Sequence, residues 1–218
     1  MLLFDKINIA LVVVALVYLL LALLILYRGR GKQVRNFYSL VIFSVILWTL
    51  GMFFYRSASA ELSLFWCRVL YILATFTASS FFLFSYVFPE NKFPSVKKII
   101  FSGILNSFIV ILVLVPNIII KDVNIIEGEE KNIIWGRWYF LYFLYISGLF
   151  LSGLIVLLKK HLRSTGIAKL QLKYVFGGYL LGSNLAMFTN LLMVWWGDFR
   201  FNWLGQILSA FMVGFTVY

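Results

Sequence analysis

A line of polar side chains crosses an otherwise apolar stretch of the sequence, residues 65–89. The line begins at Arg68, the only charge in the stretch, and continues with Tyr71, Thr75 and Ser79 at steps of three, four and four residues. Side chains at these steps share one face of an α-helix. A guanidinium, a phenol and two hydroxyls on one face can donate several hydrogen bonds, which makes this face a candidate binding surface.

The depth of Arg68 limits its role. The stretch exceeds the ~20 apolar residues that cross a bilayer as a helix, and an arginine at the bilayer centre costs about 2.5–3.5 kcal/mol. Arg68 lies near one end, at a depth of about 8 Å at a rise of ~1.5 Å per residue, where its side chain can extend to water. We therefore expect Arg68 at the rim of a mouth that opens outward, with Glu61 or Asp198 as its partner.

The composition indicates an integral membrane protein. Of the 218 residues, 63% are hydrophobic and only 12% are charged, and the mean hydropathy is +0.97. A soluble domain has about half apolar and about a quarter charged residues. The apolar runs are continuous, whereas a membrane β-barrel shows alternating segments of about ten residues. We therefore expect an all-α bundle of membrane-spanning helices in contact with the lipid bilayer.

Seven apolar segments are separated by short connections that hold nearly all the charges. Their approximate ranges are 7–27, 37–55, 64–88, 99–120, 138–158, 174–196 and 201–218. Together they predict one seven-transmembrane helix bundle that occupies residues 1–218. The first segment is too long for the apolar region of a cleaved signal peptide, and no small-residue cleavage site follows it.

The charges in the connections predict the orientation. Of the 19 lysines and arginines, twelve lie in the connections after the first, third and fifth segments, together with one acidic residue. Six lie on the opposite side with seven acidic residues. Cytoplasmic connections are enriched in lysine and arginine, so we expect the N-terminus outside and the C-terminus in the cytoplasm. This distribution accounts for the net charge of +11 without nucleic acid as a partner.

Polar side chains at membrane depth also occur in the fourth, sixth and seventh segments. They are Asn106, Ser183, Asn184, Thr189, Asn190, Asn202, Gln206 and Ser209. Because amides buried in lipid need partners, these residues form either hydrogen bonds between helices or a pocket that opens outward. In a pocket, Trp66 and Arg68 would form one wall. Asn202, Gln206 and Trp203 would form another.

The connection 121–137 is predicted to be the longest loop outside the membrane. Its tip carries three solvated glutamates, Glu127, Glu129 and Glu130. The aromatic residues of 135–145, with Trp138 among them, form either a belt at the membrane surface, where tryptophan and tyrosine collect, or a ligand cage. On the inner side, His161 is expected to be a solvated loop residue rather than a phosphoacceptor.

Missing residue types exclude several kinds of site. Cys67 is the only cysteine and His161 the only histidine, which excludes an internal disulfide and leaves no ligand set for a metal or haem. No acidic residue lies within an apolar segment, which argues against a proton relay. The seventh segment has no lysine that would bind retinal. Because catalytic motifs are absent as well, we expect neither an enzyme nor a cofactor.

Short motifs recur in a characteristic order along the segments. They are Trp48, Trp66-Cys67-Arg68, the runs 84–89, 138–145 and 166–174, Gly177, the Asn-Leu-Leu that begins at Asn190, and the run 204–218. In this order they resemble the N-terminal seven-transmembrane region of bacterial sensor histidine kinases, a region also found in some diguanylate cyclases.

The resemblance implies a signal-input domain in a bacterial cytoplasmic membrane. A small-molecule or membrane cue would change the packing of the helices, and the seventh helix would carry the change to a cytoplasmic kinase or cyclase domain. Because the chain stops at Tyr218, we expect this output domain to be missing, truncated or supplied separately. A homodimer is implied only because kinase output works in dimers.

We expect eight residues to bind the cue: Trp66, Arg68, Tyr71, Asn106, Trp138, Asn190, Asn202 and Gln206. Two other functions stay open at this stage. One is a small transporter or lipid-handling membrane protein, against which stand the odd number of segments and the lack of intramembrane acids. The other is a structural membrane partner whose polar residues serve only contacts between helices.

Overall fold

The computed structural model describes residues 5–28, 31–125 and 131–215. In these ranges the chain forms a bundle of helices and one small antiparallel sheet. The helices are α1 (Lys6–Arg28), α2 (Lys32–Ser57), α3 (Ala60–Val87), α4 (Val96–Leu114), α5 (Tyr139–Arg163), α6 (Gly166–Met187), α7 (Met193–Trp195), α8 (Leu204–Leu208) and α9 (Ala210–Gly214). The strands are β1 (Ile120–Ile125) and β2 (Lys131–Trp135). A π-helical turn, Phe188–Leu192, joins α6 to α7.

By length and composition, five helices in the described ranges can cross a membrane, namely α1 to α5. The sixth segment forms one unbroken rod from α6 through the π turn to α7, because Phe188 and Met193 at its joints keep right-handed helical angles. Ser209 joins α8 to α9 in the same way. We call this shorter apolar unit, Leu204–Gly214, the last helix.

Prolines end two of the helices. The residue before a proline avoids the α conformation, because the proline ring collides with its backbone. Phe88 precedes Pro89 and has an extended ψ of 140° at the end of α3. Val115 precedes Pro116 and has a ψ of 128° at the end of α4. The helix α4 therefore stops although the apolar segment continues to residue 120.

Helices continue beyond the apolar segments at one end of the bundle. The helix α5 runs on to Arg163, and α6 begins at Gly166, whereas the predicted segment begins at residue 174. His161 therefore lies in the last turn of α5, where its Nδ1 is 3.2 Å from the carbonyl oxygen of Lys169, and not in a loop. A helix satisfies its own backbone hydrogen bonds, so it can leave the apolar region without losing them.

A β-hairpin occupies much of the connection for which the sequence predicted a loop. The strands β1 and β2 pair antiparallel, with Val123 opposite Ile133. Isoleucine and valine favour such extended backbone. At the end of the hairpin the chain passes so close to itself that a Cβ atom on Gly136 would lie 2.2 Å from the carbonyl oxygen of Ile118. The predicted glutamate tip, residues 127–130, lies outside the described residues.

The hairpin closes one end of the bundle, which we call the hairpin end. The Nζ of Lys131 donates hydrogen bonds of 2.6 Å to the carbonyl oxygens of Tyr55 and Ala58 at the C-terminus of α2. The Nε1 of Trp135 donates to the carbonyl oxygen of Val194 in α7, at 3.3 Å. The hairpin is thus attached to the C-terminus of α2, which precedes it in the sequence, and to that of α7, which follows it.

Other polar contacts fasten the opposite end. The Nζ of Lys160 in α5 donates to the carbonyl oxygens of Tyr86 and Phe88 where α3 ends, at 2.6 and 2.7 Å. A cation is favoured there, because the C-terminus of a helix carries partial negative charge. The side-chain oxygen of Asn91 accepts the backbone N–H of Gln33 at the start of α2, at 2.8 Å. The ends of α3 and α5 therefore meet the start of α2 on this side.

The last helix packs closely on a glycine face of α6. A Cβ atom on Gly178 would lie 2.6 Å from the Cβ of Phe215, and one on Gly182 would lie 2.7 Å from the Cγ of Met212. The missing side chains let the two backbones approach, as small residues commonly do between membrane helices.

Candidate functional site

A partly open cavity of about 50 Å³ lies between the helices, next to the hairpin. Its wall takes residues from α2, α3, β2, α5, α6, the π turn, α7, the segment before α8 and the last helix, including Trp48, Tyr71, Ile133, Tyr142, Asn190 and Asn202. Most of the wall is apolar, and no charged side chain of the described residues lines it. Three of the eight residues expected to bind a cue come together here, namely Tyr71, Asn190 and Asn202.

Three of the polar residues in the wall, Tyr71, Asn190 and Asn202, keep unused hydrogen-bonding capacity. Among the described residues, neither the hydroxyl of Tyr71 nor the side-chain amide of Asn202 has a hydrogen-bond partner. Asn190 uses its Nδ2, which donates to the carbonyl oxygen of Ala186 at 3.2 Å and to the Oγ1 of Thr189 at 3.1 Å. The Oδ1 of Asn190 accepts no hydrogen bond from the described residues. These atoms can still donate or accept hydrogen bonds.

The π turn places Asn190 against the last helix. A π turn holds one residue more than an α turn and is frequent at functional sites. Thr189 satisfies displaced backbone oxygens, since its Oγ1 donates to the carbonyl oxygen of Leu185 at 3.1 Å. Asn190 faces Gly205, where a Cβ atom would lie only 1.7 Å from its Nδ2. Only a glycine at position 205 leaves room for the amide in this position.

Tyrosine hydroxyls from the first two helices bind the backbone of the last helix. The hydroxyl of Tyr18 in α1 donates to the carbonyl oxygen of Gln206 at 2.9 Å and lies 3.0 Å from the Oγ of Ser209. The hydroxyl of Tyr38 in α2 donates to the carbonyl oxygen of Val213 at 2.6 Å. Hydrogen bonds from two helices therefore connect the last helix to α1 and α2.

A cluster of aromatic rings joins the hairpin to the cavity wall. The ring of Trp135 stacks on Tyr139 with centroids 3.9 Å apart, and Tyr71 lies 5.5 Å from Trp135 and 5.1 Å from Tyr142. The prediction of a membrane-surface belt is therefore wrong for Tyr139, Tyr142 and Tyr145, which are buried. These three residues share the inner face of α5, because they follow one another at steps of three.

Arg68 has no ionic partner in the described ranges. Its side chain is half-buried, and its Nε is enclosed without a hydrogen bond. Neither partner suggested by the sequence is used, because Glu61 is exposed and Asp198 pairs with Arg200 at 2.8 Å. Hydrogen bonds from Arg200 hold the pKa of Asp198 below its usual value. The charge of Asp198 is thus neutralised by Arg200, two residues later in the chain. Arg68 lies outside the cavity wall.

Two more of the expected residues contact neighbouring helices. Asn106 in α4 accepts hydrogen bonds at its Oδ1 from the hydroxyl of Tyr145 at 2.8 Å and from that of Ser79 at 3.2 Å. This network connects α3, α4 and α5. The ring of Trp66 stacks on Phe54 with centroids 4.5 Å apart, which joins α3 to α2. Neither Asn106 nor Trp66 lines the cavity.

The remaining two expected residues also lie outside the cavity wall. Trp138 precedes α5 and is 52% exposed. Gln206 is fully buried. In the orientation of its amide that satisfies both ends, its Nε2 donates to the carbonyl oxygens of Asn202 at 3.1 Å and Trp203 at 2.9 Å. Gln206 therefore supports the segment that carries Asn202.

Sequence reasoning missed Tyr18, which anchors the last helix. A signal for it was present, because Tyr18 is the only polar side chain in the apolar run between Asn8 and Tyr27. A phenol at membrane depth requires a hydrogen-bond partner. Tyr38 and Tyr142 lie in sequences already rich in aromatic residues, so no comparable signal marked them.

Within the described residues no group of three His, Cys, Asp or Glu side chains could hold a metal ion. The arrangement is instead an uncharged cavity beside a closely packed last helix. The model of the family described as the N-terminal 7TM region of histidine kinase matches residues 10–218. The chain belongs to this family. No curated protein matches the chain.

Membership confirms the resemblance and gives the general role. The family comprises the membrane-embedded, non-catalytic input regions of sensor histidine kinases. A chain of this family is a multi-pass membrane protein, which agrees with its five long apolar helices. The cavity and the last helix are therefore parts of a sensory domain.

Proposed function

We propose that this domain detects a cue in its cavity and passes the signal through the last helix to a cytoplasmic kinase domain. The observation that carries the proposal is the composition of the cavity wall, which includes Asn202, Ser209 and Met212. Ser209 and Met212 belong to the last helix and Asn202 precedes it. A molecule in the cavity therefore touches the element that leads toward the C-terminus.

The contacts of the last helix suit it to a change of position. A cue shifts an equilibrium only if it binds two packings with different affinity. The last helix is held by hydroxyl–carbonyl bonds from Tyr18 and Tyr38, and such bonds between membrane helices contribute only about 0.6 kcal/mol each. Where the last helix contacts Gly178 and Gly182, α6 presents no side chain. A shift along α6 exchanges a few weak bonds and breaks no ion pair among the described residues.

We further propose seven membrane crossings with the hairpin end outside a bacterial cytoplasmic membrane. The sixth crossing is the rod 166–195, and the last helix begins the seventh. The charges favour this orientation. Most of the lysines and arginines lie in the connections at the end opposite the hairpin, and cytoplasmic connections are enriched in these residues. The N-terminus is then outside, and the C-terminus is in the cytoplasm where a kinase domain acts.

The proposal assigns different roles to the residues expected from the sequence. Tyr71, Asn190 and Asn202 contact the cue, because they line the cavity. Gln206 and Asn106 position neighbouring elements. Three residues toward the hairpin end, Trp66, Arg68 and Trp138, belong to the outer rim.

The gene region beyond codon 218 provides the first test of the proposed function. An open reading frame for a kinase or cyclase domain supports it. A stop codon beside transporter genes would contradict it and favour a transporter.

A kinase assay provides the second test, with the complete protein in membrane vesicles. The variant Gly205→Ala should change basal autophosphorylation several-fold, because the new methyl group displaces Asn190 and the last helix. Gly214→Ala is the matched control, since a Cβ atom there meets nothing within 4 Å. Equal activity in both variants would remove the last helix from the signalling route.

A further inference from the structure

We infer that the cavity binds a small uncharged molecule with an apolar body and one hydroxyl, carbonyl or amide group. The inference rests on the proposed function only in taking the cavity as the sensory site. The charge, the size and the polar groups of the wall each restrict the ligand independently.

The absence of charge in the wall excludes ionic ligands. Among the described residues, no charged side chain lines the cavity, and Arg68 lies outside it. An ion transferred from water into such surroundings loses its hydration without gaining a counter-ion, which is costly. Phosphates, carboxylates and ammonium compounds are therefore unsuitable ligands.

The size of the cavity selects a molecule of a few heavy atoms. Its volume is about 50 Å³. A single buried water needs roughly 10–15 Å³, and an engineered cavity that binds benzene measures about 150 Å³. The cavity lies between these values. A lipid chain or a drug-sized compound exceeds this volume and would have to extend out of the cavity or displace wall residues.

The positions of the polar groups define the polar part of the ligand. The Tyr71 hydroxyl, the Asn190 Oδ1 and the Asn202 amide come from three different elements and have no partner for these atoms among the described residues. Two of these groups can both donate and accept, and the Asn190 Oδ1 only accepts. A hydroxyl or primary amide in the cavity can donate to one and accept from another. The apolar wall, with Leu70 and Ile146 in it, encloses the rest.

Asn190 connects this binding to the last helix. Its Nδ2 faces Gly205, while the same side chain lines the cavity. A ligand that draws the Oδ1 of Asn190 toward itself changes the contact with Gly205. Binding and movement of the last helix thus share one side chain.

The test uses the whole chain in lipid nanodiscs and 2,2,2-trifluoroethanol as the probe, observed by ¹⁹F NMR. We expect saturable line broadening that excess 1-propanol reverses, whereas trifluoroacetate should show none. Because bulk lipid does not saturate at low probe concentration, reversal by 1-propanol identifies a defined site. Saturable binding of trifluoroacetate, or no saturable binding of trifluoroethanol, would overturn the inference.

Three variants place the probe in the cavity. Tyr71→Phe removes only a hydroxyl and should weaken binding about five-fold, as expected for one hydrogen bond. Ala186→Leu fills the cavity and should abolish binding. Gly177→Leu adds the same side chain to α6 where nothing lies within 4 Å, and should leave binding intact. Unchanged affinity in both Tyr71→Phe and Ala186→Leu would show that the probe binds elsewhere.

The binding measurement needs no kinase activity, so the two proposals fail in different ways. Saturable binding with no effect of Gly205→Ala on autophosphorylation would contradict the signalling role and leave the ligand class standing. A clear effect of Gly205→Ala without probe binding would contradict the ligand class alone.

Discussion

At the scale of single residues, Lys131 is the main attachment of the hairpin to α2. Its ammonium caps two carbonyl oxygens at 2.6 Å and lies 5.3 Å from the centre of the Tyr55 ring. Hydrogen bonds from a charged donor contribute about 1.5–3 kcal/mol. We expect Lys131→Met to lower the free energy of unfolding by about 2 kcal/mol, measured in detergent. Lys121→Met on the neighbouring strand is exposed and should change it little; equal effects would contradict the attachment.

Asp5 gives the molecule a predictable response to acid. Burial raises the pKa of Asp5, but hydrogen bonds from the Asn8 backbone and from Arg56 outweigh it and lower the pKa below its usual 3.8. A carboxylate whose pKa is lowered on folding contributes stability above its unfolded pKa and loses it as the pH falls through the folded value. The stability advantage over Asp5→Asn should therefore be full at neutral pH and shrink below about pH 4.

Thermal unfolding of both proteins across this pH range measures the effect of Asp5. Arg56→Gln removes the ionic partner and should reduce the same pH-dependent difference. A constant difference between wild type and Asp5→Asn from pH 7 to pH 3 would show that the pair contributes nothing through its charge.

Spacing in the sequence predicted shared faces better than it predicted partners. Tyr71, Thr75 and Ser79 are all buried on α3, as their steps indicated. Only Tyr71 lines the cavity. The hydroxyls of Thr75 and Ser79 contact backbone oxygens one turn earlier, and that of Ser79 also contacts Asn106. Whether a hydroxyl bonds to its own helix or to a ligand depends on the neighbouring helix, which spacing within one segment does not describe.

At the scale of elements, the π turn and Gly205 form a coupled pair. Gly205→Ala places a methyl group against Asn190, and such overpacking costs about 1–3 kcal/mol. Asn190→Ala removes the obstructing amide. We therefore expect the double variant to be more stable than the sum of the single effects by more than about 0.5 kcal/mol, the usual threshold for interacting sites. Thermal unfolding of all four proteins measures this, and strict additivity would contradict the contact.

The elements that the sequence could predict are those defined by hydrophobicity and proline. Apolar runs marked α1 to α5. Pro116 was a signal for the end of α4, although the predicted segment ran past it to residue 120. The hairpin was missed because the apolar residues 118–120, which lead into its first strand, were counted as the end of the fourth segment. The π turn was missed because one additional residue in a turn leaves no trace in an apolar sequence. Both missed elements border the cavity, so the sequence identified cavity residues but not their arrangement.

At the scale of the whole molecule, the two ends of the bundle differ in charge and in structure. The hairpin end combines a sheet, aromatic rings and the Asp5–Arg56 pair. The opposite end carries Lys160 and the basic connections before α2, α4 and α6. A sensor with an outside cue needs a structured outer end near the cavity, and a domain that controls a kinase needs its last helix to leave on the other side. The observed arrangement meets both needs if the basic end is cytoplasmic.

Cysteine labelling tests this orientation directly. Cys67 is the only cysteine in the sequence, and it is fully buried. The variant Cys67→Ala therefore provides a background without other thiols. On it, Lys121→Cys places a thiol on β1 and Lys169→Cys places one at the start of α6; both positions are exposed. In intact cells a membrane-impermeant maleimide should label Lys121→Cys and not Lys169→Cys, because basic connections remain on the cytoplasmic side. After the membrane is permeabilised, both should react, which confirms that the thiols are accessible. The reverse pattern would place the hairpin in the cytoplasm, and the cavity would then face a cue from inside the cell.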